Sequence, residues 1–167
     1  CQNLKEISIF LGFAPQHIFY LVEDPDKYYT TFTIPKNSNP LLLRTIDMPF
    51  SELKGVQKVI NKKILQGQEL SDRVFSYVKG KSIVKAASEF CGGKAVLEMD
   101  IKDFFPNITG KRVVGLYSSL GFSDSVSYIL SQLCLRRDCL AQGAPTSPAI
   151  SNLVMRRFDR QMEKLAK

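Results

Sequence analysis

Histidine and cysteine are scarce in this sequence. His17 is the only histidine among 167 residues, and the four cysteines, Cys1, Cys91, Cys134 and Cys139, show no Cys-x-x-Cys spacing. This pattern argues against a zinc site, which needs clustered thiolate and imidazole ligands, and against a disulfide framework. We therefore expect reduced thiols, as in the cytoplasm.

Long apolar runs are also lacking. No stretch approaches the roughly 20 apolar residues that cross a bilayer, and no signal peptide, internal repeat or low-complexity tract is visible. The hydrophobic content of 44% is too high for a disordered chain. Because 167 residues leave room for one core, we expect a folded chain with no membrane partner.

Acidic residues are few relative to basic ones. Lysine and arginine number 23 against 16 aspartates and glutamates, which gives a formal net charge of +7 and a pI near 9.3. A basic surface without function is one interpretation, but this excess on a small domain favours polyanionic partners. The candidate contacts with a nucleic-acid backbone are Lys54, Lys58, Lys79 and Lys81. Such contacts would weaken with salt and would not depend on base sequence.

Hydrophobic periodicity and turn-forming residues predict an α+β fold. A turn-forming cluster at 36–40 separates two β-rich runs and predicts a hairpin, and an apolar run predicts one core strand. The predicted strands are 28–34, 41–46 and 94–99, and the predicted helices are 3–12, 15–22, 51–66, 82–90, 110–120, 123–134 and 149–165.

The run Ala95 to Met99 leads directly into Asp100, and the segment stops at Pro106. A carboxylate at the end of a buried strand is costly to bury unpaired, and a divalent cation offsets that cost. Asp100 is therefore a candidate metal ligand. The alternative is an ordinary aspartate that caps the next turn.

The segment 141–148 contains Gly143, Pro145 and Pro148, so the backbone must turn sharply before the predicted last helix. A turn at a helix start leaves backbone N–H groups free, and phosphate binds readily to such groups. Taken alone, a turn of this kind is usually structural only.

Together, 96–106 and 141–148 resemble the third and fourth sequence blocks of reverse transcriptases, most closely those of bacterial retron and group II intron type. The segments 34–36, 44–46 and 53–57 resemble the fingers blocks of the same family, and 75–83 resembles the segment that joins fingers to palm. The resemblance runs from about residue 30 to 160, with the blocks in the family's order.

The resemblance implies a right-hand polymerase, in which helices pack on a β-hairpin and a small antiparallel palm sheet. Fingers would span 1–80, with the N-terminal helices and a hairpin at 28–47, and an incomplete palm would span 81–167. The family's Tyr-x-Asp-Asp hairpin and thumb have no counterpart here, and the sequence contains no adjacent aspartate pair. We therefore expect a fragment of a longer polymerase, with apolar surface at the unfinished palm through which the fragment could dimerise.

The activity implied by the resemblance is the addition of a dNTP to the 3′-hydroxyl of a DNA or RNA primer on an RNA template, with two Mg²⁺ ions. Asp100 would be the catalytic carboxylate shared by both ions, and the Ile101 carbonyl would be a second ligand of one. Asp103 would add charge near the metals, or pair with Lys102 or solvent. The fragment alone is expected to be inactive, and its metal positions can be empty, because Asp100 alone cannot hold both ions.

The remaining implied site residues contact the nucleotide. Basic residues of the hairpin would bind the triphosphate, a phenylalanine ring would close off the sugar 2′ side, and the turn would lie against the base. These residues are Lys36, Arg44, Phe105, Gln142 and Gly143. For Phe104, next to the ring at the sugar, core packing is the preferred interpretation.

The sequence leaves an alternative open for the subtype of the enzyme and another for its activity. Residues 86–90 align with the retron signature Asn-Ala-x-x-His but have neither its Asn nor its His, so a group II intron enzyme or an antiphage reverse transcriptase is not excluded. The alternative to a polymerase is a non-catalytic or split-subunit nucleic-acid-binding protein on a degenerate palm.

Overall fold

The computed structural model describes residues 1–36, 39–92 and 95–165. It contains helices, two antiparallel two-stranded sheets, one 3₁₀ turn at Pro25–Tyr28 and one π-helical turn at Asn61–Leu65. The helices are α1 Leu4–Leu11, α2 Pro15–Glu23, α3 Ser51–Ile60, α4 Ile83–Ser88, α5 Gly110–Ser119, α6 Asp124–Cys134 and α7 Ser147–Leu165. The strands are β1 Tyr29–Lys36, β2 Asn39–Pro49, β3 Leu135–Arg136 and β4 Cys139–Leu140. This confirms the predicted α+β class and all seven predicted helices, with shifted ends.

Local signals explain where the helices begin and end. The Asn3 side chain caps α1 by accepting the Glu6 N–H, and Gly12 ends it with a φ of 87°. Pro15 then opens α2, a position where its missing N–H costs nothing. Ser82 caps α4 by accepting the Lys85 N–H. The break between α1 and α2 therefore follows from two residues that cannot continue a helix.

The hairpin of β1 and β2 is longer than predicted. Its register runs from Tyr29 opposite Pro49 to Pro35 opposite Leu43, with a shift between Pro35 and Lys36. The strands continue through their prolines because every strand of a two-stranded sheet has a free edge, where a missing N–H is tolerated. Of the predicted turn at 36–40, residues 37 and 38 lie outside the described residues.

One hydrophobic core joins the helices to the base of the hairpin. The apolar positions of α3 that recur at helical spacing, Leu53, Val56 and Ile60, are all buried in it. α5 and α6 pack on each other, and α6 also contacts α1, α2 and α3. From the hairpin, Tyr29 is buried in the same core. The core thus fixes the base of the hairpin relative to α3 and α6.

The prediction of a core strand at 94–99 is wrong for residues 95–99, the part of that segment that the structure describes. Residues 95–100 form no strand and are exposed, with Leu97 79% accessible; residue 94 lies outside the described residues. An apolar run becomes a strand only where another strand accepts its backbone hydrogen bonds, and no strand of the described ranges lies beside this one. The second sheet is instead the short β3–β4 pair.

Across the described ranges, every helix is too short or too polar to traverse a lipid bilayer.

Candidate functional site

The turn after β4 is attached to the outer edge of the hairpin. The Asp47 backbone N–H of β2 donates to the Gln142 carbonyl at 2.8 Å. Asp47 lies opposite Thr31 in the register, and its N–H points away from β1 toward the turn. The two sequence-predicted regions, hairpin and Gln-Gly turn, therefore meet in the structure through a backbone hydrogen bond.

Gly143 makes this close approach possible. Its φ is +133°, and a Cβ at this position would stand 2.8 Å from the Asp47 carbonyl oxygen and 3.0 Å from Ile46 Cγ2. Residues other than glycine rarely adopt such a φ, and the space that a Cβ would occupy is already filled by β2. Only glycine fits between the turn and β2.

The turn is also held from its far side. Ser147, the first residue of α7, donates its hydroxyl to the Ala141 carbonyl at 2.7 Å. The Asn61 side-chain amide donates to the Pro145 carbonyl at 3.2 Å. Carbonyls of the turn are thus satisfied by α7 and by the π-helical turn after α3, which leaves a defined backbone shape between them.

Asp47 also carries an ion pair. Its carboxylate contacts Arg136 Nη1 and accepts a hydrogen bond from the Thr31 hydroxyl at 2.8 Å. Arg136 belongs to β3, and its side chain is only 9% exposed. The hairpin is therefore tied to the β3–β4 sheet by a largely buried charge pair as well as by the backbone.

Arg136 is positioned by an aromatic ring and a buried amide. Its guanidinium carbon lies 5.3 Å from the centre of the Tyr29 ring, a geometry that attracts a cation to a π face. The Gln57 amide donates to the Tyr29 hydroxyl at 2.8 Å and to the Leu133 carbonyl at 2.9 Å. Burial raises the pKa of Tyr29 well above its usual range, so the ring stays neutral beside Arg136.

The candidate triphosphate-binding residues lie farther along the hairpin. Arg44 pairs with Ile34 and is exposed. Since alternate residues of a strand share a face, Arg44 lies on the same face as Ile46, which packs against Gly143. Lys36 is half-buried at the end of β1, beyond the register shift. The structure thus places Arg44 on the face that the turn also contacts.

The candidate residues at 100–105 form a separate group. Asp100 and Ile101 are exposed, and Asp103 starts a turn with a φ of +50°, in which its carbonyl accepts from the Asn107 side chain at 2.9 Å. The Phe104 and Phe105 rings lie 5.8 Å apart, half-buried against the core. Both rings therefore pack against the core in the structure.

Asp100 and Ile101 match Mg²⁺ in the type of donor atom that they offer. Carboxylate and backbone carbonyl oxygens are the ligands that Mg²⁺ prefers. In the described ranges, no three histidine, cysteine, aspartate or glutamate side chains come together at a possible metal site. The match of these two residues to Mg²⁺ is therefore limited to the type of oxygen donor that they offer.

Residues 34–166 match the sequence profile of the family described as Reverse transcriptase (RNA-dependent DNA polymerase). The chain belongs to the reverse transcriptase family. It is 30% identical to the retron Ec86 reverse transcriptase of Escherichia coli, with 98% of this chain and 51% of that protein aligned. The retron Mx65 and Mx162 reverse transcriptases of Myxococcus xanthus are 30% and 31% identical. Those alignments cover 96% and 89% of this chain, and 42% and 34% of the relatives.

This reverse transcriptase chain spans about half, or less, of the length of the curated relatives it matches. The aligned part includes β2 with Arg44 and Asp47, the segment around Asp100 and the Gln142–Gly143 turn. The family membership thus rests on the same segments whose geometry is described above.

The four candidate lysines differ in their environment. Lys58 and Lys79 are exposed, and Lys54 is half-buried on α3. Lys81 contacts the Asp72 carbonyl and lies 4.8 Å from the centre of the Phe75 ring. Lys81 therefore has an intramolecular role in this reverse transcriptase chain, besides any contact with nucleic acid.

Sequence reasoning did not include among the site residues four that lie at the junction of the hairpin and the β3–β4 sheet in this reverse transcriptase chain. Asp47 and Arg136 are 89 positions apart, and Tyr29 and Gln57 are 28 apart. Asp47 directly follows the family-like block at 44–46, but nothing in its local pattern indicates a partner. An arginine in a strand of two residues, next to an Arg-Asp turn, resembles any basic surface residue in the sequence.

Proposed function

We propose that the complete protein containing this chain is an RNA-directed DNA polymerase, a reverse transcriptase that adds deoxynucleotides to a primer 3′-hydroxyl on an RNA template. The observation that carries the proposal is the attachment of the Gln142–Gly143 turn to β2, the strand of Arg44. Together with the family membership, it supports a nucleotide site between hairpin and turn. Residues 1–80 would be fingers and 81–167 an incomplete palm.

The proposed role of the hairpin is to bind the triphosphate. Arg44 is exposed and offers a planar fork of N–H donors that matches phosphate oxygens. Lys36, nearer the tip, would add a point charge. Because the base of the hairpin is anchored in the core through Tyr29, movement would be confined to the part that carries these cations. Closure of this part would bring them onto the substrate.

The proposed role of the turn is to position the nucleotide. The bond from Asp47 occupies the Gln142 carbonyl and thereby fixes the backbone, which leaves the Gln142 side chain for the sugar or base. Gly143 would lie against the nucleotide, with the position of its backbone set by the close contact with β2. Phe105, half-buried beside Phe104, would present its ring to the sugar 2′ position and disfavour a ribonucleotide.

Asp100 and the Ile101 carbonyl are the proposed Mg²⁺ ligands. Bound Mg²⁺ would supply charge stabilisation for in-line attack of the primer hydroxyl on the α-phosphate. We propose that residues 1–167 alone do not catalyse this reaction, because the described ranges contain no group of three histidine, cysteine, aspartate or glutamate residues that could hold a metal ion. Reduced cysteines suit a cytoplasmic enzyme, and the relatives favour a retron-type one over a group II intron type.

The test is primer extension by the complete protein, with an RNA template, dNTPs and Mg²⁺. Asp100→Asn should lower the extension rate by on the order of a hundred- to a thousandfold, since it removes charge at the reacting phosphate. Glu98→Gln, an exposed neighbour in the same segment, is the matched control and should keep wild-type activity. Normal extension by Asp100→Asn, or robust Mg²⁺-dependent synthesis by residues 1–167, would contradict these assignments.

The second candidate is a split or non-catalytic nucleic-acid-binding protein. The observation in its favour is the apolar surface of the segment before and after Asp100, where Val96, Leu97, Met99 and Ile101 are exposed. Such a surface favours association with another chain or a second copy. Salt-sensitive RNA binding by a protein that never extends a primer would support binding alone. Activity only upon mixing with a second polypeptide would support a split enzyme.

A further inference from the structure

We propose that the Asp47–Arg136 ion pair holds the Gln142–Gly143 turn against the hairpin, so that both residues position the nucleotide site without touching the nucleotide. This inference rests on the proposed function for its catalytic consequence. The structural half, that the pair couples hairpin to turn, stands on contacts between described residues.

The pair lies where two independent parts of the chain meet. Asp47 belongs to the hairpin, and Arg136 belongs to the β3–β4 sheet, whose register pairs Arg136 with Cys139 and Leu135 with Leu140. Only Ala141 separates the end of β4 from Gln142. A displacement of Arg136 relative to Asp47 would therefore reach the turn within a few residues.

The β3–β4 sheet is itself firmly placed. The Leu140 N–H donates to the Ile108 carbonyl at 3.2 Å, and the Gly110 N–H donates to the Asp138 carbonyl at 2.9 Å. Leu135 and Leu140 are buried in the core. Because this side cannot move easily, the ion pair restrains the hairpin relative to the sheet.

Within the described ranges, one backbone hydrogen bond joins hairpin and turn directly, from the Asp47 N–H to the Gln142 carbonyl, and Ile46 packs on Gly143. One exposed-edge backbone bond is a weak restraint. The ion pair, by contrast, is 9% exposed at the arginine and 24% at the aspartate, so water screens it little.

Loss of either partner would leave a charge without its counterion. Arg136 Nε already has no hydrogen-bond partner within the described ranges, and Asp47 would keep only the Thr31 hydroxyl. The remaining charge would be drawn toward solvent, which would favour separation of β2 from the β3–β4 sheet and the turn. Arg44 lies three positions from Asp47, so separation would shift the cation that binds phosphate relative to Gln142.

The kinetic experiment uses the complete protein and compares Asp47→Asn and Arg136→Gln with wild type in RNA-templated extension. Each single variant should raise the KM for dNTP by roughly ten- to a hundredfold, with a smaller change in kcat, because the nucleotide is misplaced. The double variant should be no worse than the worse single one, since both break the same pair. Arg136→Lys, which keeps the charge, should recover part of the loss.

The matched control is Asp24→Asn, which breaks the exposed Asp24–Lys27 pair. It should leave KM and kcat unchanged. Thermal unfolding of all variants checks that they fold. If Asp47→Asn does not fold, the kinetic comparison is made between Arg136→Lys and wild type, because the lysine keeps a positive charge next to Asp47.

Hydrogen exchange separates the two halves of the inference. Backbone amides at 46–48 and 141–144 should exchange faster in Asp47→Asn and Arg136→Gln than in wild type, while α5 and α6 stay unchanged. Unchanged exchange at the turn would overturn the coupling, and faster exchange with an unaltered KM would overturn the positioning role. If the wild-type protein never extends a primer, the proposed function fails, and faster exchange would still support the coupling.

Discussion

The hydroxyl of Tyr117 and the Sγ of Cys134 lie 3.3 Å apart in the core, where both side chains are fully buried. Burial raises the pKa of Cys134 to about 11 and the pKa of Tyr117 well above its usual range. Neither group can ionise in the folded chain near neutral pH. The core between α5 and α6 is therefore sensitive to alkali.

We expect the free energy of unfolding to fall as pH rises from about 9 to about 11. Below pH 9 the Cys134 thiol is protonated in both states. Above it the unfolded chain loses the proton and the folded chain keeps it, so unfolding is favoured by up to about 3 kcal/mol. Urea unfolding followed by circular dichroism at several pH values measures this.

The control for the alkaline effect is a second cysteine. Cys134→Ala should lose stability at pH 7 but should show a smaller decline between pH 9 and 11, where Cys139, whose pKa is also raised by burial, still contributes. Cys91→Ala, at an exposed thiol, should keep the wild-type pH profile. A decline in Cys134→Ala as large as that of the wild type would contradict the assignment.

Gly143→Ala should disrupt the contact between turn and hairpin. The new methyl group would lie 2.8 Å from the Asp47 carbonyl oxygen at a φ of +133°, and such a backbone costs a non-glycine residue roughly 1–3 kcal/mol. We expect a lower free energy of unfolding and reduced primer extension by the complete protein. Gly115→Ala, in α5 with open space around it, is the control and should stabilise by up to about 1 kcal/mol. Equal effects of the two substitutions would show that the turn does not need glycine.

Gln57→Leu should destabilise the base of the hairpin. It removes the donor to the Tyr29 hydroxyl and the Leu133 carbonyl, both buried, at a cost of roughly 1–3 kcal/mol. Urea unfolding of Gln57→Leu, Tyr29→Phe and the double variant measures the coupling, and the double variant should cost less than the two singles together. Gln161→Leu, exposed on α7, should have little effect. Strict additivity would mean that the amide and the hydroxyl do not interact.

The helices and the hairpin were predictable because their signals are local. Leu53, Val56 and Ile60 recur at helical spacing, and all three are buried in the core. Gly12 and Pro15 predicted a break between the first two helices, and in the structure α1 ends before Gly12 and α2 begins at Pro15. The β3–β4 sheet was missed because its turn, Arg137-Asp138, lacks the glycine or asparagine that usually marks such turns, although both residues have a positive φ.

The candidate site was predictable only in part. The meeting of hairpin and turn through β2 and Gly143 agrees with the regions that the family resemblance indicated. The roles of Asp100, Ile101 and Phe105 stay predictions. The predicted strand before Asp100 was wrong for residues 95–99, since an apolar run cannot supply its own hydrogen-bonding neighbour.

The sequence by itself determined the helices, the hairpin, the basic charge and the family, because each depends on residues close together in the chain or on motif order. The tertiary structure decided which residues share a site. Asp47 meets Arg136, and Tyr29 meets Gln57, only because α3, α6 and the two sheets pack around one core. A buried charge needs its partner in space, and its position along the chain carries no signal of where that partner lies.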